Sequence, residues 1–245
     1  MPQTDKIRIA KAMADAGLCS RREAERWIEA GRVVLNGEKL ETPAVTVTET
    51  DEILVDGKPL QSKPETPRIF LYNKPAGIIC SASDPEGRPT VFDKLPKKLP
   101  RLILVGRLDL NSEGLLVLTT DGALAGKLMH PSTNLERTYK VRFRGDLSDV
   151  QIKQLADGIT IDGTHYRPAQ VNLLGTTRGG SNNWATVTIT EGKNREIRNL
   201  FNHFGLQVNR LIRLQYGPFE LGELPTNGLQ EIDEETVHEF LKSLG

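Results

Sequence analysis

Hydrophobic residues near the amino terminus recur at a helical spacing. Within 7–16, Ile9, Met13 and Ala16 are separated by four and then three positions. This spacing places the three side chains on one face of a helix. We therefore predict an amphipathic helix over 7–16.

A second helix is predicted from Ser20 to Ala30. The Ser20 hydroxyl can cap its first turn, and Glu23, three residues later, can complete a capping box. Two short hydrophobic runs follow at 33–40 and 52–60, and each contains an Asn-Gly or Asp-Gly pair, the usual sequence of a tight hairpin turn. These signals predict a small helix–helix–β unit.

The rest of the chain shows mainly the alternating pattern of strands, with a few helical stretches between them. Strands are predicted at 68–73, 115–120, 137–144, 165–174, 184–191 and 207–216. Helices are predicted at 122–129, 148–157, 194–204 and 234–243. Because strands and helices do not alternate strictly, the pattern favours an α+β fold with a mixed, mainly antiparallel sheet flanked by helices.

A stretch at 57–68 with three prolines and little apolar content lies between these two parts. Such composition is typical of a linker. We therefore predict a small domain at 1–58, a linker at 59–67 and a larger domain at 68–245.

The composition is that of a globular protein, with 38% hydrophobic and 26% charged residues. No apolar run approaches the roughly 18–20 residues that span a bilayer, and the charged start lacks the apolar stretch of a secretory signal. The two cysteines are too few for a disulfide framework. We expect a reduced, cytoplasmic protein with no membrane contact.

The net charge of zero conceals a strong segregation of charge along the chain. Residues 6–39 hold eight Lys/Arg against five Asp/Glu, and 97–144 hold nine against four, whereas 218–245 hold seven acids and one lysine. Segregated charge can produce basic faces on a neutral protein. The charge pattern alone is also consistent with ordinary solvent-exposed surfaces that have no binding role.

Two segments of the larger domain combine charge with glycine. LYNKPAG (71–77) has Lys74 before a Pro and a Gly, and a turn explains the Pro and the Gly but not the lysine. GRLDLNSEGLLVLTTDG (106–122) places Asp109 and Arg107 just before a hydrophobic strand. An isolated Asp between leucines is more often structural than catalytic.

Two further segments are rich in arginine. In ERTYKVRFRG (136–145), the alternation of a strand turns Arg137, Tyr139 and Val141 to one face and basic residues to the other; these are Lys140, Arg142 and Arg144. An all-basic face suits phosphate contacts. In TEGKNREIRNLFNHFG (190–205), Arg195 and Arg198 are three apart and project from one side of the predicted helix.

The residues give no sign of a metal or a nucleotide cofactor. His203 has no second ligand at metal spacing, and the chain contains neither GxGxxG nor a phosphate-loop pattern. We therefore expect no cofactor and no metal.

The four segments together, in this order, resemble the motifs of RNA pseudouridine synthases, specifically the branch that contains the ribosomal enzymes RsuA and RluB. The amino-terminal stretch KAMADAGLCSRREAERWIEAGRVVLNGE is similar to the S4-type RNA-binding module. The resemblance covers almost the whole chain, and the 191–225 region is more similar to the large-subunit type. It implies that 1–58 is an S4-like RNA-binding domain and 68–245 a catalytic domain.

The resemblance implies the isomerisation of a uridine to pseudouridine in ribosomal RNA, most of all 23S rRNA, with 16S rRNA as the alternative. Asp109 matches the family's essential aspartate, as a nucleophile or as the base of a glycal-type route. Arg198, or alternatively Arg195, would pair with Asp109 and keep it ionised in a dry pocket walled by the neighbouring leucines. Tyr139 would stack on the flipped uracil and help to remove the proton at carbon 5.

The resemblance also implies a set of RNA contacts. The residues expected to contact RNA are Arg21, Arg22, Arg26, Arg32, Lys74, Arg107, Lys140, Arg142, Arg144 and Arg195. We expect a monomer whose partner is ribosomal RNA, naked or within an assembly intermediate.

Two other functions fit the residues. In one, the chain is a non-catalytic RNA-binding or ribosome-assembly protein, and the intact set Asp109, Tyr139 and Arg198 argues against it. In the other, Asp109 hydrolyses a glycosidic bond. A glycosidase needs a second carboxylate, for which Glu113 is the nearby candidate.

Overall fold

The computed structural model describes residues 6–61, 66–176 and 182–243. Residues 62–65, the centre of the predicted linker, lie outside this part of the chain, and Pro59 belongs to a strand. No helix in the described ranges is long and apolar enough to cross a membrane.

The amino-terminal unit packs two helices on short strands. Its elements are β1 (Ile7–Arg8), α1 (Ile9–Asp15), α2 (Arg21–Glu29), β2 (Val33–Leu35), β3 (Glu38–Lys39), β4 (Thr46–Val47), β5 (Ile53–Val55) and β6 (Lys58–Pro59). The sheet order is β3-β2-β5-β6, and β1 pairs with β4. The predicted first helix begins later than expected, at Ile9, because the two residues before it pair with β4.

The predicted capping box and hairpin turns are confirmed. The Ser20 hydroxyl accepts a hydrogen bond from the Glu23 amide, and the Glu23 carboxylate accepts one from the Ser20 amide. Asn36 and Asp56 both have positive φ, as do the glycines that follow them. That conformation is the one that tight hairpin turns require.

The larger unit contains a long sheet, five α-helices and a short 3-10 helix (Pro131–Thr133) among its described residues. Its elements are β7 (Ile69–Lys74), α3 (Val91–Lys94), β8 (Ile103–Val105), β9 (Glu113–Thr119), α4 (Gly122–Met129), β10 (Arg137–Arg144), α5 (Asp149–Asp157), β11 (Ile159–Ile161), β12 (Thr164–Tyr166), β13 (Gln170–Thr176), β14 (Asn182–Ile189), α6 (Glu196–His203), β15 (Gln207–Tyr216), β16 (Phe219–Glu220), β17 (Leu229–Glu231) and α7 (Glu234–Ser243).

The central sheet runs β13-β14-β10-β15-β9-β7-β17, with β8 added beside β9 and β16 beside β15. The β15–β9 pair is parallel, and the other pairs of the described sheet are antiparallel. The predicted α+β fold is therefore confirmed.

Two predicted elements differ from the observed ones for local reasons. The predicted strand 165–174 is two strands, β12 and β13, because Pro168 lies between them and has no N–H to donate to a ladder. The predicted helix 194–204 begins only at Glu196, because Arg195 adopts a left-handed conformation with φ of 51°.

The two faces of β10 have different surroundings. Tyr139, Val141 and Phe143 point into a core formed with α5 and α6, which contribute Leu155, Ile197, Leu200 and Phe201. The alternate side chains of β10 remain partly or fully exposed. Separate clusters of buried apolar residues fill the amino-terminal unit and the larger unit.

Candidate active site

Asp109 lies in a loop over 106–112 that connects β8 to β9, and not on a strand. Its side chain is 34% exposed. Leu108 is buried, whereas Leu110 is exposed. The prediction of a dry pocket walled by two leucines is therefore wrong for this structure, since one leucine supports the loop and the other faces outward.

Lys74, at the end of β7, binds the backbone of the loop that carries Asp109. Its ammonium donates hydrogen bonds to the carbonyl oxygens of Ser112 at 2.8 Å, Asp109 at 3.2 Å and Leu110 at 3.3 Å. A fourth bond reaches the Pro75 carbonyl at 3.0 Å. Burial lowers the pKa of Lys74 from its ordinary value.

The prediction that Lys74 contacts RNA is corrected by this burial. The side chain is 0% exposed, so its charge is used inside the protein. The Gly77 amide adds a bond of 2.8 Å to the Leu110 carbonyl. The YNKPAG turn therefore fixes the backbone that carries Asp109. The signal for this role was the position of Lys74 at the end of a largely apolar strand.

Two arginines approach the Asp109 carboxylate, one immediately before α6 and one within it. Its Oδ2 lies 3.8 Å from Nη1 of Arg195 and 4.0 Å from Nε of Arg198. The predicted partner and its alternative are thus both present, and neither forms a close hydrogen bond. Arg195 is the more exposed, with 55% of its side chain accessible against 13% for Arg198.

Arg198 is anchored to backbone on both sides of the site. Its Nη1 donates to the Val208 carbonyl at 3.0 Å and its Nη2 to the Asn111 carbonyl at 3.3 Å. Its Nε is buried without a hydrogen-bond partner among the described residues. Burial, and then the charge of Arg195, lower the pKa of Arg198 from its ordinary value. One donor of fixed position therefore lies near the carboxylate.

The turn before α6 sets the direction of Arg195. Arg195 is the residue before the helix, in a left-handed conformation that is uncommon for a side chain other than glycine. Glu196 is buried, and its carboxylate accepts a bond of 2.8 Å from the Lys193 amide. Burial, together with the nearby Glu191, raises the pKa of Glu196 to about 7. The sequence reading did not identify Glu196.

β10 contributes Tyr139, whose side chain lies in the same buried cluster as Leu108 and Ile197. The predicted alternation along this strand is confirmed: Arg137, Tyr139 and Val141 are buried, and Lys140 and Arg142 are partly exposed. Arg144 at the strand end is exposed.

The remaining predicted RNA contacts lie mainly on the surface. Arg21, Arg22 and Arg26 are exposed on α2, and Arg107 is exposed beside Asp109. Arg32 is exposed too, but Asp56 binds it through two hydrogen bonds and its guanidinium lies 4.3 Å from the Trp27 ring centre. Part of its charge is therefore already compensated.

Glu113, the second carboxylate considered for a glycosidase, lies in an environment that does not favour acid–base catalysis. Arg210 binds it through two hydrogen bonds of 2.8 Å. These bonds keep the pKa of Glu113 below its usual range. A general acid needs a raised pKa, so this environment does not suit that role.

No group of three or more potential metal ligands occurs among the residues that the structure describes. His203 is exposed and contacts the ring of Phe204 edge-on. The site is a carboxylate with two guanidinium groups, and the buried Tyr139 packs in the cluster that contains the adjacent Leu108.

Comparisons with known proteins agree with this arrangement. The family model for RNA pseudouridylate synthase matches residues 68–203, and the model for the S4 domain matches residues 7–53. An uncharacterized RNA pseudouridine synthase of Rickettsia prowazekii (strain Madrid E) is 44% identical over 234 residues, which is 96% of this chain and 97% of that protein.

A ribosomal large subunit pseudouridine synthase B of Yersinia pestis is 45% identical over 244 residues, 97% of this chain and 76% of that protein. The crystal structure of a pseudouridylate synthase has a TM-score of 0.67 and 26% identity, with 95% of this chain and 98% of that chain covered.

An α+β fold with this carboxylate site, joined to an S4 domain, defines an RNA-modifying isomerase. The chain belongs to the RNA pseudouridine synthase family. It is a pseudouridine synthase, and RNA is its partner.

Proposed function

We propose that this protein isomerises a uridine of 23S ribosomal RNA to pseudouridine, with Asp109 as the catalytic carboxylate. The observation that carries the proposal is the placement of Asp109 Oδ2 3.8–4.0 Å from Arg195 and Arg198 on a loop fixed by Lys74.

The reaction rearranges the uridine without adding or removing atoms. The bond between N1 of uracil and C1′ of ribose breaks, the base turns, and C5 forms a new bond to C1′. C5 then loses its proton, and N1 gains one. A carboxylate that stays ionised at neutral pH can attack C1′ or accept a proton from the sugar, and both routes use Asp109.

Arg198 is proposed as the group that positions Asp109. Its buried Nε, without a hydrogen-bond partner among the described residues, lies 4.0 Å from Asp109 Oδ2. Because its other nitrogens are bound to Val208 and Asn111, this donor keeps a fixed direction. Donors fixed before the reaction stabilise developing charge without a cost of reorganisation.

Tyr139 is proposed to stack on the extruded uracil and to assist proton removal from C5. Reaching a uridine within folded RNA requires its extrusion, at about a few kcal/mol. Arg107 and Arg195, both exposed beside Asp109, are proposed to contact the RNA backbone and help to offset that cost.

The large-subunit target rests on similarity to proteins named ribosomal large subunit pseudouridine synthase B, at 45% identity for the Yersinia pestis protein. We extend that target to this chain, with 16S rRNA as the alternative. We also propose that the protein acts as a monomer in the cytoplasm, where ribosomal RNA is made. In this proposal, residues 1–58 bind RNA, residues 59–67 connect the two domains, and residues 68–245 catalyse the isomerisation.

The test is release of tritium from 23S and 16S rRNA labelled at C5 of uridine. Asp109→Asn should reduce release below detection while RNA affinity stays within about twofold, because the change removes no phosphate contact. Asp157→Asn, the same change at an exposed carboxylate of α5, is the matched control and should retain full activity.

Three results would contradict the proposal. Activity in Asp109→Asn would mean that the catalytic residue is wrong, and release from 16S but not 23S rRNA would reassign the target. Free uracil with an abasic site would indicate hydrolysis.

A further inference from the structure

Trp184 lies on the central sheet between two cations. It is directly opposite Arg142 in the β10–β14 ladder, and the guanidinium carbon lies 5.8 Å from a Trp184 ring centre. The ammonium of Lys140 lies 5.0 Å from a ring of the same indole. The sequence reading did not single out Trp184.

This cluster lies on the opposite side of the sheet from the active site. Tyr139 and Val141 point toward α6, so Lys140 and Arg142, which alternate with them, point away. On β14, Ala185 and Val187 are likewise buried, whereas Trp184 is partly exposed. We call the surface formed by Lys140, Arg142, Arg144 and Trp184 the basic sheet face.

The positive charge of the basic sheet face is not neutralised within the described chain. None of its three basic residues forms an ion pair with a described acid, although Arg142 Nε itself is buried. Glu113, whose pKa is lowered mainly by Arg210 and in small part by the charge of Arg142, is bound by Arg210. A polyanion is therefore the partner that the charge fits.

The indole gives this surface a second property. A tryptophan that only stabilised the fold would pack against apolar side chains of a covering element. Here its described ring partners are two cations. Aromatic rings beside cations on an open sheet bind single-stranded nucleic acid, because bases stack on the ring and phosphates meet the cations.

We propose that the basic sheet face binds a single-stranded segment of the RNA substrate, separate from the segment that enters the active site. One nucleotide cannot reach both faces of β10, so the occupant is a second segment of the same RNA. The inference deepens the proposed function and rests on it only for the identity of the RNA.

The test uses the fluorescence of Trp184. The chain has two tryptophans, so Trp27→Phe leaves Trp184 as the reporter, and Trp184→Phe leaves Trp27 as the matched control. The probe is a cytidine 12-mer, which contains no uridine and therefore reports binding without turnover. It should quench the Trp184 reporter saturably.

Two variants measure separately how much base stacking and phosphate contacts contribute to RNA binding. Trp184→Ala should weaken 12-mer affinity roughly tenfold, because one stacked base is lost. Replacing Lys140 and Arg142 by Ala should lower the slope of log K against log salt by roughly 1.4, as expected for two phosphate contacts. Thermal melting of each variant verifies folding, and Trp184→Phe, which keeps a ring, should bind more tightly than Trp184→Ala.

Unquenched Trp184 fluorescence with unchanged 12-mer affinity in Trp184→Ala would overturn the proposal. Emission that changes with protein concentration without RNA would identify a second copy of the chain as the occupant and would also overturn it. Absence of tritium release with quenching intact would refute the proposed function alone, so the two failures are distinguishable.

Discussion

Asp109 has two guanidinium groups near one carboxylate, yet neither is within close hydrogen-bond distance. A partly exposed carboxylate loses little hydration, so a tight ion pair is not required to offset burial. We infer that RNA completes the enclosure of the site. The sequence motif identified Asp109 and both arginines, but the exposure depends on the loop conformation, which no periodicity encodes.

Lys74 is the residue whose predicted role changed most. We expect Lys74→Met to lower the free energy of unfolding by about 2–4 kcal/mol, since four carbonyls lose a charged donor. The displaced loop should reduce kcat about a hundredfold. Urea unfolding and tritium release measure the two effects.

Lys97→Met, a change at an exposed lysine, is the control for Lys74→Met. The salt dependence of RNA binding should be the same in both variants and the wild type. A smaller salt slope in Lys74→Met alone would show that Lys74 contacts phosphate after all.

Glu196 makes stability depend on pH. Its pKa is about 7 in the folded protein against an ordinary value of 4.5, so between these values the folded state holds a proton that the unfolded state has released. The contribution of Glu196 to the free energy of unfolding is therefore largest below pH 4.5. It falls by up to about 3 kcal/mol as the pH rises to 7.

Glu196→Gln should remove this fall, because the amide does not titrate. Denaturant unfolding at pH 5, 6 and 7 gives the comparison, with Glu25→Gln at an exposed site of α2 as the control. Parallel curves for the wild type and Glu196→Gln would contradict the assignment.

At the scale of elements, the parallel contact between β9 and β15 carries the Asp109 loop into the centre of the sheet. Gly114 permits this contact: it has φ of 97°, and a Cβ there would lie 2.3 Å from the Arg213 carbonyl oxygen. Any other residue would force the two strands apart.

Gly114→Ala should therefore destabilise the fold by roughly 2 kcal/mol or more, from backbone strain and steric overlap together. Gly126→Ala is a matched control, because Gly126 lies inside α4 with no atom within 4 Å of the added Cβ. That control should gain up to about 1 kcal/mol. Equal stability of the two variants would show that the β9–β15 contact is looser than described.

Elements with a strong local signal were predicted closely. The bounds of β10, α4, β15 and α7 are those predicted from hydrophobic pattern and turn residues. The short elements β8, β11 and β17 were missed, since three residues give too few positions to define a period. Their formation depends on pairing with distant strands.

At the scale of the whole molecule, we expect the exposed arginines on α2 to add RNA-binding surface to the larger unit. Replacing Arg21, Arg22 and Arg26 together with Ala should weaken rRNA binding and reduce its salt slope by roughly 2–3. Filter binding over a range of salt concentrations measures both. An unchanged slope would assign these arginines to structure.

The fold class and the residues of the site were largely readable from the sequence, because ordered motifs fix both together. The roles of Lys74, Glu196 and Trp184 were not. Each depends on which groups the folded chain brings next to it: four loop carbonyls, a buried turn and two cations on a neighbouring strand. The contacts of Lys74 and Trp184 join distant parts of the chain and leave no local pattern, and the role of Glu196 depends on its burial in the fold.

The most direct test of the central claim is to map pseudouridines in both ribosomal RNAs of cells that lack this protein. We predict that one uridine of 23S rRNA remains unmodified, that the wild-type chain restores pseudouridine there, and that Asp109→Asn does not. An unchanged pseudouridine map in both RNAs, or restoration by Asp109→Asn, would contradict the account.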